Sequence, residues 1–175
     1  MPLSNTQLDR LGERLRAAGT EALTTPDDRE LFDEYRASLA QPLVGVGQRV
    51  EEIAGGRPTA RFKTLSSTIE KLRRQPHTRL SQIQDIVGCR VVVDGLKRQD
   101  EVVSALLEEF PDHVVDDRRE HDQDGYRAVH VVVRLGRGTT VEVQVRTEPQ
   151  NFWANVCELL ADRLDPAFKY GEIGR

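Results

Sequence analysis

Two neighbouring segments of the sequence alternate apolar and polar residues, and this pair constrains the fold more than any other feature. Valine recurs at every second position of both segments, which is the period of a β-strand with one buried face. A glycine-containing loop separates them, so the pattern predicts an antiparallel hairpin of Ala128–Leu135 and Thr140–Arg146. Because both apolar faces must enter one core, odd residues pair with odd residues. The expected opposite pairs are Leu135 with Val141, His130 with Arg146, and Arg134 with Glu142.

The polar residues of this hairpin share its other face. They are His130, Glu142, Gln144 and Arg146. Such a row is either a solvated face of a sheet or the floor of a cleft. Alternation alone leaves both interpretations open.

Helical signals fill the first third of the chain. Leucines spaced three and four residues apart share one face of a helix predicted near Thr6–Ala18. The segment Thr25–Asp28 predicts a helix start, because it combines an N-cap threonine, a proline at the first helical position and two acids. A third helix is expected to end at Gly55.

Helical and strand patterns are interspersed from residue 57 onward. They indicate an α+β (mixed α/β) fold whose sheet is at least partly antiparallel. We expect one domain over residues 1–175, with an N-terminal helical segment at 1–56 and the core at 57–170. Phe152 and Trp153, in the last predicted helix, are expected to be core residues.

Composition limits the class of protein. No apolar run approaches the roughly 20 residues that a membrane helix needs, and the N-terminus does not resemble a signal peptide. Cys89 and Cys157 lack metal-ligand spacing, which favours free thiols in a reducing compartment. These features predict a cytoplasmic protein.

Positive charge is concentrated in one segment of an acidic chain. The net charge is −4, which argues against a general nucleic-acid binder, yet Arg57–Arg79 contains seven basic residues and one acid. A local positive field of this kind is typical of a site for a compact polyanion such as a triphosphate. A solvated helix face is the alternative interpretation.

Five motifs, in order from Arg61 to Ala154, resemble the synthetase domain of the RelA/SpoT family. They are residues 61–72 (RFKTLSSTIEKL), 85–90 (DIVGCR), 125–130 (GYRAVH), 142–147 (EVQVRT) and 151–154 (NFWA). The resemblance implies a nucleotidyltransferase-like mixed sheet flanked by helices. It also implies transfer of the β,γ-pyrophosphate of ATP to the 3′-hydroxyl of GDP or GTP, with AMP as the leaving group.

On the donor side, the resemblance assigns Asp85 and Glu142 as catalytic carboxylates that bind Mg²⁺. It implies that Arg61 and Arg90 sandwich the adenine of ATP. The ATP phosphates would be bound by Lys63, Lys71 and Arg74. Ser67 is either a further phosphate ligand or the N-cap of a capping box with Glu70.

On the acceptor side, the resemblance implies that Tyr126 stacks on the base and that Gly125 permits the close turn before it. Asn151 would read the base edge. The ribose or phosphates would be approached by His130, Gln144 and Arg146.

The sequence departs from the family in the acceptor loop. Three acids, Glu120, Asp122 and Asp124, precede Gly125 where the family usually carries a proline–lysine pair and an asparagine. Two alternatives therefore stay open: a toxin-type relative that modifies adenosine nucleotides or a tRNA 3′ end and has an antitoxin partner, and an inactive nucleotide-binding module. The short segment after Trp153 predicts a monomer, or a dimer through the N-terminal helices.

Overall fold

The computed structural model describes residues 3–119, 126–136 and 138–163, with side chains as far as residue 159. Six α-helices and five β-strands are seen within these residues. They are α1 Asn5–Ala18, α2 Pro26–Ser38, α3 Ala40–Ala54, β1 Thr59–Phe62, α4 Leu65–Arg74, β2 Val87–Val93, α5 Leu96–Glu109, β3 His113–Asp117, β4 Val129–Arg134, β5 Thr140–Thr147 and α6 Glu148–Arg163. Short 3₁₀ turns occur at Glu21–Leu23 and Leu80–Gln82.

The strands form one mixed sheet in the order β1-β2-β5-β4-β3. The central strands β2 and β5 are parallel, and the other three pairs are antiparallel. The predicted mixed sheet is therefore confirmed. Its apolar face packs against α3 and α5, whereas α1 packs against α4 and the turn at Leu80.

The predicted register of the β4–β5 hairpin is wrong by two residues. The expected pairing of Leu135 with Val141 does not occur. The observed opposite pairs are Val133 with Val141, His130 with Gln144, Val132 with Glu142, and Arg134 with Thr140. Because the shift is an even number, every side chain still lies on its predicted face.

A tighter loop than expected causes this shift. Leu135 donates its backbone N–H to the carbonyl of Thr139 at 3.0 Å, so the hairpin closes sooner than a loop over residues 136–140 would allow. Gly136 and Gly138 have φ angles of 80° and 79°, which residues with a side chain rarely adopt. The two glycines therefore select a loop that alternation alone does not specify.

The helix starts follow local capping chemistry. Thr25 caps α2 by accepting the N–H of Asp28, with Pro26 in the first turn, as the sequence predicts. The predicted capping box of Ser67 and Glu70 is wrong, because Thr64 is the N-cap of α4 and its side chain accepts the N–H of Ser67. The helix consequently begins before Ser67.

The expectation that Phe152 and Trp153 belong to the core is also wrong. Their exposed fractions are 70% and 43%. The reason is that α6 docks through polar side chains: Asn151 and Asn155 bind Arg90 of β2. That contact turns the two aromatic rings away from the sheet. Within the described part of the chain, no helix is long and apolar enough to cross a membrane.

Gly88 permits an unusually close approach of the two central strands. A Cβ atom at this position would lie 2.3 Å from the backbone oxygen of Glu142, well inside contact distance. Gly88 and Glu142 are opposite each other in the parallel ladder. Gly88 belongs to the motif of residues 85–90. It therefore allows the backbone just after Asp85 to lie against β5, the strand that carries Glu142.

We expect Gly88→Ala to lower the free energy of unfolding by about 1–3 kcal/mol, because β2 and β5 must separate to accept the methyl group. Gly45→Ala is the matched control. Gly45 lies inside α3, and no atom of the described residues comes within 4 Å of the place that an alanine Cβ would take, so alanine should stabilise the helix by about 0.5–1 kcal/mol. Urea denaturation measures both changes, and a Gly88→Ala variant as stable as the wild-type protein would contradict the close approach.

Candidate active site

A cleft opens on the face of the sheet opposite α3 and α5. Its volume is about 380 Å³, and it lies between α4 and the edge formed by β3 and β4. Both predicted catalytic carboxylates line it. The ionisable residues of its walls are Lys71, Asp85, Asp116, Arg118, His130 and Glu142.

Asp85 is held between two lysines. Lys63 Nζ lies 2.9 Å from Oδ2, and Lys71 Nζ lies 2.8 Å from Oδ1. Burial alone would raise the pKa of Asp85, but the two ammonium groups outweigh it and lower the pKa to about 2. Asp85 is therefore ionised at neutral pH.

Lys63 is the more deeply buried of the two lysines, with a side-chain exposure of 9%. Burial lowers its pKa, against the opposing attraction of Asp85. Its backbone N–H donates to Ile86, which fixes the residue immediately after β1 beside the start of β2. The strand pairing thus brings Lys63 and Asp85 together from positions 22 residues apart.

Glu142 is oriented by one hydrogen bond on each carboxylate oxygen. His130 Nδ1 lies 2.9 Å from Oε1, and Gln144 Nε2 donates to Oε2 at 2.7 Å. Burial raises the pKa of Glu142, but the hydrogen bond and charge of His130 together with the hydrogen bond from Gln144 outweigh it, and the net shift is downward. An ionised carboxylate has about four acceptor positions, and side chains of the described residues occupy two of them here.

Two hydrogen-bonded paths connect Glu142 to the buried guanidinium of Arg146. One runs from Arg146 Nη2 to Gln144 Oε1 at 2.9 Å and on to Glu142. The other runs from Arg146 Nη2 to the Tyr126 hydroxyl at 2.6 Å, then to His130 Nε2 at 3.0 Å, and then to Glu142. We call these five residues the Arg146 network.

The donors and acceptors of the Arg146 network are fixed at its two ends. Arg146 can only donate, so the Tyr126 oxygen accepts from it. The ionised Glu142 can only accept, so His130 Nδ1 donates to it. The Tyr126 hydroxyl and His130 Nε2 share the hydrogen bond between these two ends.

Arg146 itself is almost completely buried, with 1% of its surface exposed. Its guanidinium carbon lies 5.1 Å from the centre of the Tyr126 ring, within cation–π range. Gln144 is also buried, with 2% of its surface exposed. Both side chains, expected at the acceptor phosphates or ribose, therefore lie beneath Glu142 and Tyr126 and hold them in place.

Arg61 and Arg90 lie on adjacent antiparallel strands on the cleft side of the sheet. Arg90 is attached to α6: its Nη1 donates to Asn151 at 3.4 Å and Asn155 at 3.2 Å, and its Nη2 lies 3.5 Å from Glu158. The sequence assigns Arg90 to the donor and Asn151 to the acceptor. The structure brings these two residues into contact.

The other predicted site residues are distributed around the cleft. Ser67 lies in the first turn of α4, where the hydroxyl of Thr64 donates to its side chain. Arg74 is exposed at the end of the same helix. Gly125 lies outside the described residues, as does the acidic segment before it.

Sequence reasoning missed Arg118 and Asp116 of the cleft wall. Arg118 follows β3, and its guanidinium carbon lies 6.0 Å from the centre of the Tyr126 ring. Asp116 lies opposite His130 in the β3–β4 ladder, and this pairing would have indicated that β3 borders the cleft. The pairing could not be found from the sequence, because the sequence did not predict the register of these strands.

The donor chemistry of the cleft fits a metal ion that arrives with other ligands. Within the residues described, no group of three or more His, Cys, Asp or Glu side chains is placed to hold a metal by itself. Asp85 and Glu142 nevertheless line one cleft as ionised carboxylates. Two carboxylates suit a hard cation that takes its remaining oxygen ligands from a phosphate and water.

We expect Arg146→Met to lower the free energy of unfolding by about 3–5 kcal/mol, because Glu142 would lose the buried cation to which both paths lead. Arg134→Met on the same hairpin is the control: Arg134 is 45% exposed and 3.6 Å from Asp112, and such pairs contribute at most about 1 kcal/mol. Denaturant unfolding measures both. A loss below about 1 kcal/mol at Arg146 would show that the network does not support the fold.

Comparison with known proteins places the chain in a family. Residues 60–160 match the model of the region found in RelA / SpoT proteins, and the chain belongs to this family. An uncharacterized protein of Mycobacterium tuberculosis is 36% identical over 98% of this chain and 63% of its own length. GTP pyrophosphokinase YjbM of Bacillus subtilis is 35% identical over 56% of this chain and 52% of that protein.

Solved structures confirm the predicted fold. Small alarmone synthetase 1 from Bacillus subtilis, bound to its product pppGpp, superposes with a TM-score of 0.66 and 23% identity, covering 80% of this chain and 88% of that one. A second structure of the same synthetase gives 0.58 and 26%, with coverages of 75% and 80%. The chain spans 63% of the length of its mycobacterial relatives.

Proposed function

We propose that the protein transfers the β,γ-pyrophosphate group of ATP to the 3′-hydroxyl of GDP or GTP and releases AMP. One observation carries the proposal: two ionised carboxylates, Asp85 and Glu142, line a single cleft together with Lys71, which pairs with Asp85. The names of relatives that are GTP pyrophosphokinases support the same reaction.

The lysines beside Asp85 are suited to an exchange of partners. Lys63 and Lys71 neutralise Asp85 when no triphosphate is bound. A triphosphate entering the cleft offers them a stronger anion, and their transfer to its oxygens would free the Asp85 carboxylate. Asp85 and Glu142 would hold Mg²⁺, which would supply positive charge to the transferring group.

Glu142 has a second task in this proposal. Its carboxylate, held by His130 and Gln144, would accept a hydrogen bond from the attacking ribose hydroxyl and orient its oxygen towards the β-phosphorus of ATP. Fixed orientation matters here because phosphoryl-type transfer is accelerated largely by positioning and electrostatics. The hydrogen bonds of the Arg146 network would fix this orientation of the Glu142 carboxylate.

The two bases would bind at different places on the sheet. Tyr126 presents a ring for the acceptor base, whereas Arg61 and Arg90 of β1 and β2 would stack on adenine. A guanidinium stacks through its face while its N–H groups donate in its plane, so Arg90 could stack on adenine and keep its hydrogen bonds to Asn151 and Asn155 of α6.

We expect Asp85→Asn and Glu142→Gln each to reduce turnover on the order of 10³-fold, because each removes a charged ligand of the Mg²⁺ that would bind the transferring group. Asp112→Asn is the control, since this carboxylate is 67% exposed at the start of β3. Circular dichroism establishes that the variants are folded. Either cleft variant keeping a tenth of wild-type turnover would refute the assignment.

We also expect Arg61→Ala to raise the KM for ATP more than that for the acceptor, and Tyr126→Ala to do the reverse. Tyr126→Phe separates the ring from its hydroxyl: the acceptor KM should rise less, while kcat falls because His130 loses its partner in the Arg146 network. Steady-state kinetics with each substrate varied in turn measures these effects. Equal changes in both KM values would contradict the assignment of Arg61 to ATP and of Tyr126 to the acceptor.

The acceptor is tested directly by incubating the protein with γ-³²P-ATP and Mg²⁺ and with GDP, GTP, ADP, ATP or tRNA separately. Label is expected on the guanosine nucleotides. Label confined to an adenosine nucleotide or to tRNA would replace GDP and GTP by that acceptor. No label on any acceptor, from folded protein, would indicate a nucleotide-binding module without activity.

A further inference from the structure

A glutamine that belongs to none of the five motifs is buried in the first turn of α5. Gln99 has an exposed fraction of 0% and is among the largest fully buried side chains of the described residues. Helix α5 packs on the face of the sheet opposite the cleft, so the sheet separates Gln99 from the cleft. A buried amide destabilises a fold unless its hydrogen bonds are made. The partners of Gln99 therefore indicate why glutamine occupies this position.

Gln99 binds the end of β5 and the first turn of α6 at the same time. Its Nε2 donates to the carbonyl of Val145 at 2.8 Å and to Oε1 of Gln150 at 2.9 Å. Gln150 returns the contact, because its own Nε2 lies 3.4 Å from Oε1 of Gln99. A primary amide has two N–H donors, and both donors of Gln99 are used here. The Val145 carbonyl can only accept, so it fixes which end of the Gln99 amide faces β5.

Gln150 is in turn part of the cap that starts α6. Its Oε1 accepts the backbone N–H of Thr147 at 2.9 Å, and its own backbone N–H donates to the Thr147 hydroxyl at 3.5 Å. These reciprocal contacts between residues three apart form a capping box, which satisfies N–H groups that the start of a helix leaves without partners. Gln99 therefore holds the side chain that sets where α6 begins and in which direction it leaves β5.

The residue after Gln150 is the predicted ligand of the acceptor base. Asn151 lies in the same turn of α6, and its Oδ1 is 3.4 Å from Nη1 of Arg90 on β2. An amide that reads a base edge must be placed accurately, because hydrogen bonds weaken steeply as their distance and angle depart from the optimum. A change in the direction of α6 would move Asn151 together with Gln150.

We propose that Gln99 is a positioning residue for the acceptor, which acts from the opposite face of the sheet, through Gln150, to place Asn151 at the acceptor base. The inference rests on the proposed function and adds to it a residue that contacts neither substrate. Without the Gln99 amide, the first turn of α6 loses its hydrogen bond to α5. The acceptor side should be affected more than the ATP side, because Arg61 and Lys71, predicted to bind ATP, belong to β1 and α4.

Steady-state kinetics of Gln99→Leu test the proposal, with ATP and the acceptor identified by labelling varied in turn. The KM for the acceptor should rise about tenfold, as expected for one displaced hydrogen bond, and the KM for ATP should change by less than about twofold. Val102→Ala is the matched control, because Val102 is fully buried on the same helix and the variant loses packing but keeps the Gln99 amide. It should leave both KM values near those of the wild-type protein.

A double variant tests the route through Gln150. Gln99→Leu combined with Gln150→Leu should raise the acceptor KM no more than Gln150→Leu does by itself, because residues that act through one contact are not additive. Hydrogen exchange followed by mass spectrometry gives a readout that needs no turnover. In Gln99→Leu, the backbone of residues 147–153 should exchange faster than in the wild-type protein, while β2 keeps its protection.

The outcomes separate this inference from the proposed function. An acceptor KM that Gln99→Leu leaves unchanged, or that Val102→Ala raises equally, would overturn the positioning role while the proposed function stands. Additive effects of the substitutions at Gln99 and Gln150 would overturn the route between them. A folded wild-type protein that labels no acceptor would overturn the proposed function and with it the placement of an acceptor base, and hydrogen exchange would then still report whether Gln99 holds the start of α6.

Discussion

The parallel pairing of β2 with β5 at the centre of the sheet is the constraint on which the candidate site depends. It sets Gly88 opposite Glu142, so that Asp85, three residues earlier, enters the same cleft from a distant part of the chain. Parallel neighbours require a long connection, here through α5, β3 and β4. That connection also supplies the far wall of the cleft. The same topology therefore brings the two carboxylates together and forms the cleft that they line.

The two carboxylates are neutralised in different ways, and the difference has consequences for what each can do. Asp85 contacts two ammonium groups directly, and both sit on flexible stems that a triphosphate can attract away. Glu142 is linked to Arg146 through Gln144, His130 and Tyr126, and Arg146 is buried with its guanidinium carbon 5.1 Å from the centre of the Tyr126 ring. Asp85 therefore has exchangeable partners, whereas Glu142 keeps a fixed orientation.

Periodicity predicted which face each hairpin residue occupies, because a two-residue error leaves the faces unchanged. It did not predict the register, which Gly136 and Gly138 decide through their left-handed backbone. Apolar character likewise misplaced Phe152 and Trp153, because α6 docks by hydrogen bonds that no hydrophobic pattern contains. Motifs predicted a set of site residues, but only the structure shows that Gln144 and Arg146 lie under Glu142 rather than at the surface.

Hydrogen bonds fix α6 at two places on the sheet. Gln99 of α5 is fully buried and donates to the carbonyl of Val145, and it also bonds to Gln150, so the first turn of α6 is fixed at the end of β5. From there α6 reaches Arg90 on β2. The family resemblance assigns Arg90 to the donor and Asn151 to the acceptor, and the two side chains are in contact. Under the proposed function, this contact would couple the donor side of the site to the acceptor side.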